Sequence, residues 1–123
     1  MRLGLLCFVV VALLALGCKG KEDGVAQGSA KFTEVSAILG AKCVQCHGQM
    51  GPPKAGIDLR TYAAIMKGGR KGPVVVAGDT AGSPLVQALR GQGGKTQMPF
   101  RQAALPDDQI QKIEDWIKAG AKE

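Results

Sequence analysis

Two cysteines three residues apart, followed at once by the only histidine, constrain this sequence more than any other feature: Cys43-Val44-Gln45-Cys46-His47. With four cysteines and one histidine in 123 residues, chance places cysteines both one and four positions before the histidine about once in a thousand such chains. The surroundings narrow what the trio can be. A structural zinc site wants four Cys or His ligands, and this neighbourhood offers three. A thioredoxin-like Cys-x-x-Cys sits near a βαβ pattern, and none is visible. The other two cysteines, Cys7 and Cys18, fall within and just after the apolar N-terminus, which leaves no disulfide framework. Yet the chain needs a staple. Only 4% of its residues are aromatic and 18 are glycine, and a small domain of that composition buries little apolar area.

The N-terminus reads as an export signal. Met1-Arg2 precedes a nearly unbroken apolar run from Leu3 to Leu16, which ends in Gly17-Cys18. The run is short of the roughly 20 apolar residues that span a bilayer. Leu14-Ala15-Leu16-Gly17-Cys18 resembles a bacterial lipobox, with Ala15 where leucine is usual. We therefore expect a lipoprotein-type signal peptide over residues 1–17 and lipidation of Cys18. A polar, glycine-containing tether then covers 18–31 and a folded domain 32–123. That arrangement expects an exported protein, held at the periplasmic side of a membrane by its lipid. The formal net charge is +6, spread along the chain, which suits a solvated surface or attraction to an acidic partner. With no basic block and few aromatics, nucleic acid is not an expected partner.

Within 32–123 the pattern is mostly α, with three to four short helices between Gly- and Pro-rich loops. Phe32, Val35, Ile38 and Leu39 fall on one face of a helix over Phe32 to Lys42. A second helix is expected over Leu59 to Lys67, ended by Gly68-Gly69. Val74-Val75-Val76 has strand propensity, but without a partner strand it is read as extended loop. Ser83 is the expected N-cap of a third helix running to Leu89, with Pro84 at its first position. The last helix is the clearest. Asp107 and Asp108 lie in its first turn, Ile110, Ile113, Trp116 and Ile117 form its apolar stripe, and Gly120 ends it.

Cys-x-x-Cys-His is the sequence mark of c-type haem attachment. Two cysteines about one helical turn apart each form a thioether to a haem vinyl group, and the next imidazole becomes the proximal iron ligand. The plate of the haem also supplies the missing core. Cys43 and Cys46 are the expected attachment points of one haem c, and His47 its axial ligand. No second histidine exists, so the sixth ligand is sought among the methionines. Met50 is too close to His47 in sequence to reach the other haem face. Met66 lies on the apolar stripe of its helix, where a core role is the default. Met98 sits in a Gly-rich loop ahead of the last helix and is the expected ligand. The other ring nitrogen of His47 needs a backbone carbonyl, for which Gly51-Pro52-Pro53 is a candidate. Arg60, Arg70, Lys71 and Arg101 are candidates for haem propionates, although a solvated role is the default for each.

Taken together these segments resemble the single-haem class I cytochromes c, and more closely the planctomycete-type cytochrome c domains. The resemblance rests on Cys43 to Gly48, Gly56 to Thr61, Gly72 to Asp79, Ser83 to Leu85, Met98-Pro99 and Trp116 to Ala121. It covers about Phe32 to Ala121. It implies a small cytochrome c-like fold around one haem and thioethers at Cys43 and Cys46. It also implies His47 and Met98 as axial ligands, and helices at the two ends of the domain packed on each other. Phe100-Arg101 departs from the Pro or Gly that often follows Met-Pro in such domains. The function expected is electron transfer between redox protein partners, without enzymatic turnover. The alternative is a haem-based ligand sensor or enzyme with an open distal site.

Overall fold

The computed structural model describes residues 30–123. The expected signal peptide over 1–17, the expected lipidation site Cys18 and nearly all of the expected 18–31 tether lie outside the described residues. The described part is helical, with four α-helices: α1 (Phe32–Lys42), α2 (Tyr62–Lys67), α3 (Pro84–Arg90) and α4 (Asp107–Lys118). Two tight helical turns, Gln45–Gln49 and Lys54–Gly56, lie between α1 and α2. Among the described residues only isolated β-bridges occur, Gly69 with Gly72 and Val76 with Asp79. This is the small, all-α architecture expected of a cytochrome c-like fold.

The element at each end of the domain forms where its pattern says it should. α1 starts as the Glu34 carboxylate reaches back to accept the Lys31 backbone N–H at 3.2 Å. Its stripe buries Val35 and Leu39 completely. α4 begins after Pro106 with Asp107 and Asp108 in its first turn and buries Ile110, Ile113, Trp116 and Ile117. α1 packs against α4, and α4 against α3. Three aromatics gather where α1, α2 and α4 meet. The Phe32 ring stands edge-on to Tyr62 at 5.3 Å and tilted to Trp116 at 5.6 Å. The polar ends of two of these rings are satisfied by the C-terminal segment. The Tyr62 hydroxyl donates to the Ala121 carbonyl at 3.0 Å, and the Trp116 indole N–H to the Lys122 carbonyl at 2.6 Å.

Between the ends, the structure differs from the expectation in detail. α2 begins at Tyr62 rather than Leu59. Asp58 turns its carboxylate back onto the Arg60 backbone N–H at 3.0 Å, and Thr61 caps the helix by accepting the Ala64 N–H at 3.2 Å. Leu59 is buried all the same, from the segment before the helix. Ser83 occupies the N-cap position of α3, but its hydroxyl does not cap. It donates to the Asp79 carbonyl at 2.7 Å and accepts the Val76 N–H at 2.9 Å, tying the preceding loop closed with the side chain fully buried. Val74 and Val75 are both buried while Val76 is exposed, a loop pattern rather than the alternation of a strand. Two backbone bonds pin this loop. The Leu85 N–H donates to Val74, and the Gly78 N–H to Ile117 at the end of α4.

Candidate functional site

The cysteine-histidine trio grows directly out of α1. Cys43 is the residue that ends the helix, and its N–H still bonds the Leu39 carbonyl at 2.8 Å. The chain then tightens into the Gln45–Gln49 turn, in which the Cys46 and His47 N–H groups both donate to the Cys43 carbonyl, at 3.2 and 2.9 Å. The turn cannot continue as helix, because Gly48 takes φ 154°. The position demands glycine for a second reason. A Cβ there would lie 2.6 Å from Cγ of Arg60, whose side chain crosses over it.

His47 is held at two points by one neighbouring segment. Its Nδ1 lies 3.2 Å from the Ile57 carbonyl, and its own carbonyl accepts the Leu59 N–H at 2.9 Å. A protonated Nδ1 donating to Ile57 leaves the lone pair on Nε2, the tautomer a metal ligand needs. The acceptor is thus Ile57, not the Gly51-Pro52-Pro53 turn. That turn ends too early, and the chain reaches the ring only after the Lys54–Gly56 turn reverses it. The Asp58–Arg60 ion pair closes the same segment, with Nη2 2.6 Å from Oδ2. The Arg60 guanidinium holds the Asp58 carboxyl down at about 2, below its ordinary 3.8.

Cys43, Cys46 and His47 line a cleft of about 740 Å³, which lies within the size range of cofactor pockets. Its walls are chiefly apolar, with Ile57, Leu59, Val74, Leu85 and Leu89 among them. Met98 lines the same cleft. Met50 and Met66 do not. Met50 is 67% exposed, and Met66 packs against the hydrophobic core. The Met98 loop is anchored on the end of α3, where the Met98 N–H donates to the Ala88 carbonyl at 2.9 Å. Burial pushes the Cys43 thiol up to about 11, the reverse of the lowered thiol that redox Cys-x-x-Cys sites display.

The charged residues at the cleft were only partly expected. Lys42, Lys54, Lys71 and Lys95 line it, and among the described residues no aspartate or glutamate does. Of the four propionate candidates, Lys71 alone is there. Arg60 is committed to Asp58, the Arg70 side chain lies against Gly56, and Arg101 stacks over the Phe100 ring at 5.1 Å. The missed lysines carry no local motif. Two separate loops and a helix end bring Lys42, Lys54 and Lys95 to one rim.

These residues fit a haem. An imidazole nitrogen is free of its hydrogen bond, two thiols stand beside it, a thioether lines the same apolar volume, and four lysines stand at the rim.

The comparisons with known proteins agree. Residues 43–100 match a family model described as Planctomycete cytochrome C. No curated protein and no solved structure matches the chain. The matched span begins at the first cysteine of the motif and runs past Met98-Pro99, so it takes in every cleft residue singled out above except Lys42. Residues 43–100 are thus similar to planctomycete-type cytochrome c domains, and the match supports a domain of that type in this chain.

Proposed function

We propose that this protein is an exported single-haem electron carrier. Its haem is attached at Cys43 and Cys46 and its iron is held by His47 and Met98. One observation carries the reading: Cys43, Cys46, His47 and Met98 all line one apolar cleft, from which the other two candidate methionines are absent. The bound haem supplies the one-electron chemistry. The chain supplies the conditions for it. The Ile57 carbonyl fixes the His47 ring and makes it a better donor. A thioether ligand favours the reduced iron relative to a nitrogen ligand. Leu59, Val74, Leu85 and Leu89 keep water from the cleft walls. The lysine rim neutralises propionates and attracts acidic redox partners. Lipidation at Cys18 holds the domain at the periplasmic face of a membrane. No helix among the described residues is long and apolar enough to cross one.

The test is direct. The mature chain, expressed with a haem-attachment system and denatured in alkaline pyridine, should retain one haem covalently. Complete extraction of the haem into acidified organic solvent would sink the reading. Met98→Ala should convert an iron that ignores carbon monoxide into one that binds it. If wild type already binds it as readily, the iron has an open site and the protein belongs with haem-based sensors or enzymes. Mass spectrometry of the membrane-bound protein should find a diacylglyceryl group on Cys18, and Cys18→Ala should release the domain in soluble form.

A further inference from the structure

α3 is seven residues long, and its C-terminal carbonyls lack partners within the helix. Gly91, at φ 63°, turns the chain out of the helix in the left-handed conformation. The Gly91 N–H reaches the Ala88 carbonyl at 3.3 Å and the Gln92 N–H the Gln87 carbonyl at 2.7 Å, and Gln97-Met98 returns to supply further donors to the helix end. The Met98 N–H takes the Ala88 carbonyl at 2.9 Å. The Gln97 side-chain amide takes the next one, Leu89, at 2.6 Å, and shares its other hydrogen with the Met98 carbonyl at 3.2 Å. The amide folds so closely over Gly91 that a Cβ there would collide with Gln97 Oε1. The helix is itself anchored. Arg90, the last residue of α3, binds Glu114 of α4 through Nε at 3.0 Å and Nη2 at 3.1 Å, and Asp107 through Nη1 at 2.8 Å.

We propose that Gln97 is a positioning residue for the sixth iron ligand. Its amide latches the Met98 loop onto the end of α3, so the helix cap and the placement of the thioether are one structure. This rests on Met98 as ligand. Both hydrogens of one NH₂ group are spent across the Met98 peptide, one on the helix and one on the loop. A side chain present only for bulk has no reason to donate to both. Without the latch, the loop keeps a single backbone bond to α3, and the sulfur competes less well with an added ligand.

The measurement is imidazole binding to the ferric, haem-loaded full chain, followed by absorption well below the melting temperature. Gln97→Ala should bind imidazole roughly tenfold more tightly than wild type. Gln97→Glu has the same shape but donates nothing, and should bind at least as tightly as Gln97→Ala. Gln87→Ala is the control. It removes an amide bond of the same kind from the same helix, to the Ala81 carbonyl at 2.8 Å, and although this side chain lies against Gly93 it makes no hydrogen bond to Met98 or Gln97. It should lower stability and leave imidazole affinity at the wild-type value. Met98→Ala should open the iron most, and adding Gln97→Ala to it should change nothing further. A Gln97→Glu protein indistinguishable from wild type overturns the latch while leaving Met98 as ligand. Gln87→Ala as open as Gln97→Ala also overturns it, since general loosening would then explain the effect. A Met98→Ala protein no more open than wild type removes the ligand itself, and the latch with it.

Discussion

Two regions of the domain are built differently. On one side, where α1, α2 and α4 meet, the large side chains meet one another. Val35, Leu39, Ile113 and Ile117 have no exposed surface, and Phe32, Tyr62 and Trp116 share an aromatic cluster whose polar atoms are paired. On the other side the apolar residues face a cleft. Ile57, Leu85 and Met98 are half-buried, and Phe100 at its edge is 56% exposed. The first side is a core that the chain completes by itself. The second is half of a core, with loops for walls, and it recovers its burial energy only when an apolar plate fills the gap. On the proposed reading, folding and haem attachment are coupled most strongly through the cleft side.

The largest test of this contrast is to remove the haem. In Cys43→Ala, Cys46→Ala the completed side has only α1 and α4 to hold together, and isolated helices of 11 and 12 residues are marginal in water. The haem-free variant should lose its cooperative thermal transition by circular dichroism. A sharp melt with native helix content would mean that the α1–α4 core folds without the cleft, and the two sides are independent.

Breaking the completed side is the next largest effect. Trp116 is 2% exposed and joins α4 to Phe32. Trp116→Ala in the haem-loaded protein should cost about 3–5 kcal/mol in denaturant unfolding. Because the damage lies away from the cleft, the absorption spectrum of the remaining folded protein should keep its wild-type iron ligation. A cost below about 1 kcal/mol would show that the haem, not the aromatic cluster, carries the stability of that side.

The same division separates what was legible in the sequence from what was not. α1 runs from Phe32 to Lys42 and α4 buries the expected stripe, because a helix with one apolar and one solvated face writes its periodicity into consecutive residues. Of the three methionines weighed in the sequence, Met98 is the one that lines the cleft. The cleft side obeys pairings between distant residues, which periodicity does not register. The Leu59 to Lys67 stripe ignored the turn that Asp58 makes with Arg60, so α2 starts three residues later. Ser83 has the residue type and place of a cap, yet the Asp79 and Val76 backbone claims its hydroxyl. The Ile57 carbonyl that orients His47 is an anonymous backbone atom ten residues away. Lys42, Lys54 and Lys95 become a rim only through the path of the loops.

The smallest effect concerns the ion pair that closes the segment beside His47. Asp58 and Arg60 bracket Leu59, and the Arg60 side chain covers Gly48, the residue after the histidine. The Asp58 carboxyl titrates at about 2 in the folded protein, against an ordinary 3.8, because Arg60 and its backbone N–H hydrogen-bond the charged form. A carboxyl held low in the folded state stabilises the fold above its unfolded value, and that contribution disappears as the pH falls through the folded one. Wild type should therefore be slightly more stable than Asp58→Asn above about pH 4, and the two should converge near pH 2. The pair is largely solvated, so the difference is small. It should also be local, with the Leu59 amide, bonded to the His47 carbonyl, exchanging faster in Asp58→Asn while the amides of Ile113 and Ile117 keep their protection. Equal acceleration in both regions would mean that the cleft segment has no separate stability, and that the completed core and the haem-dependent half open as one unit.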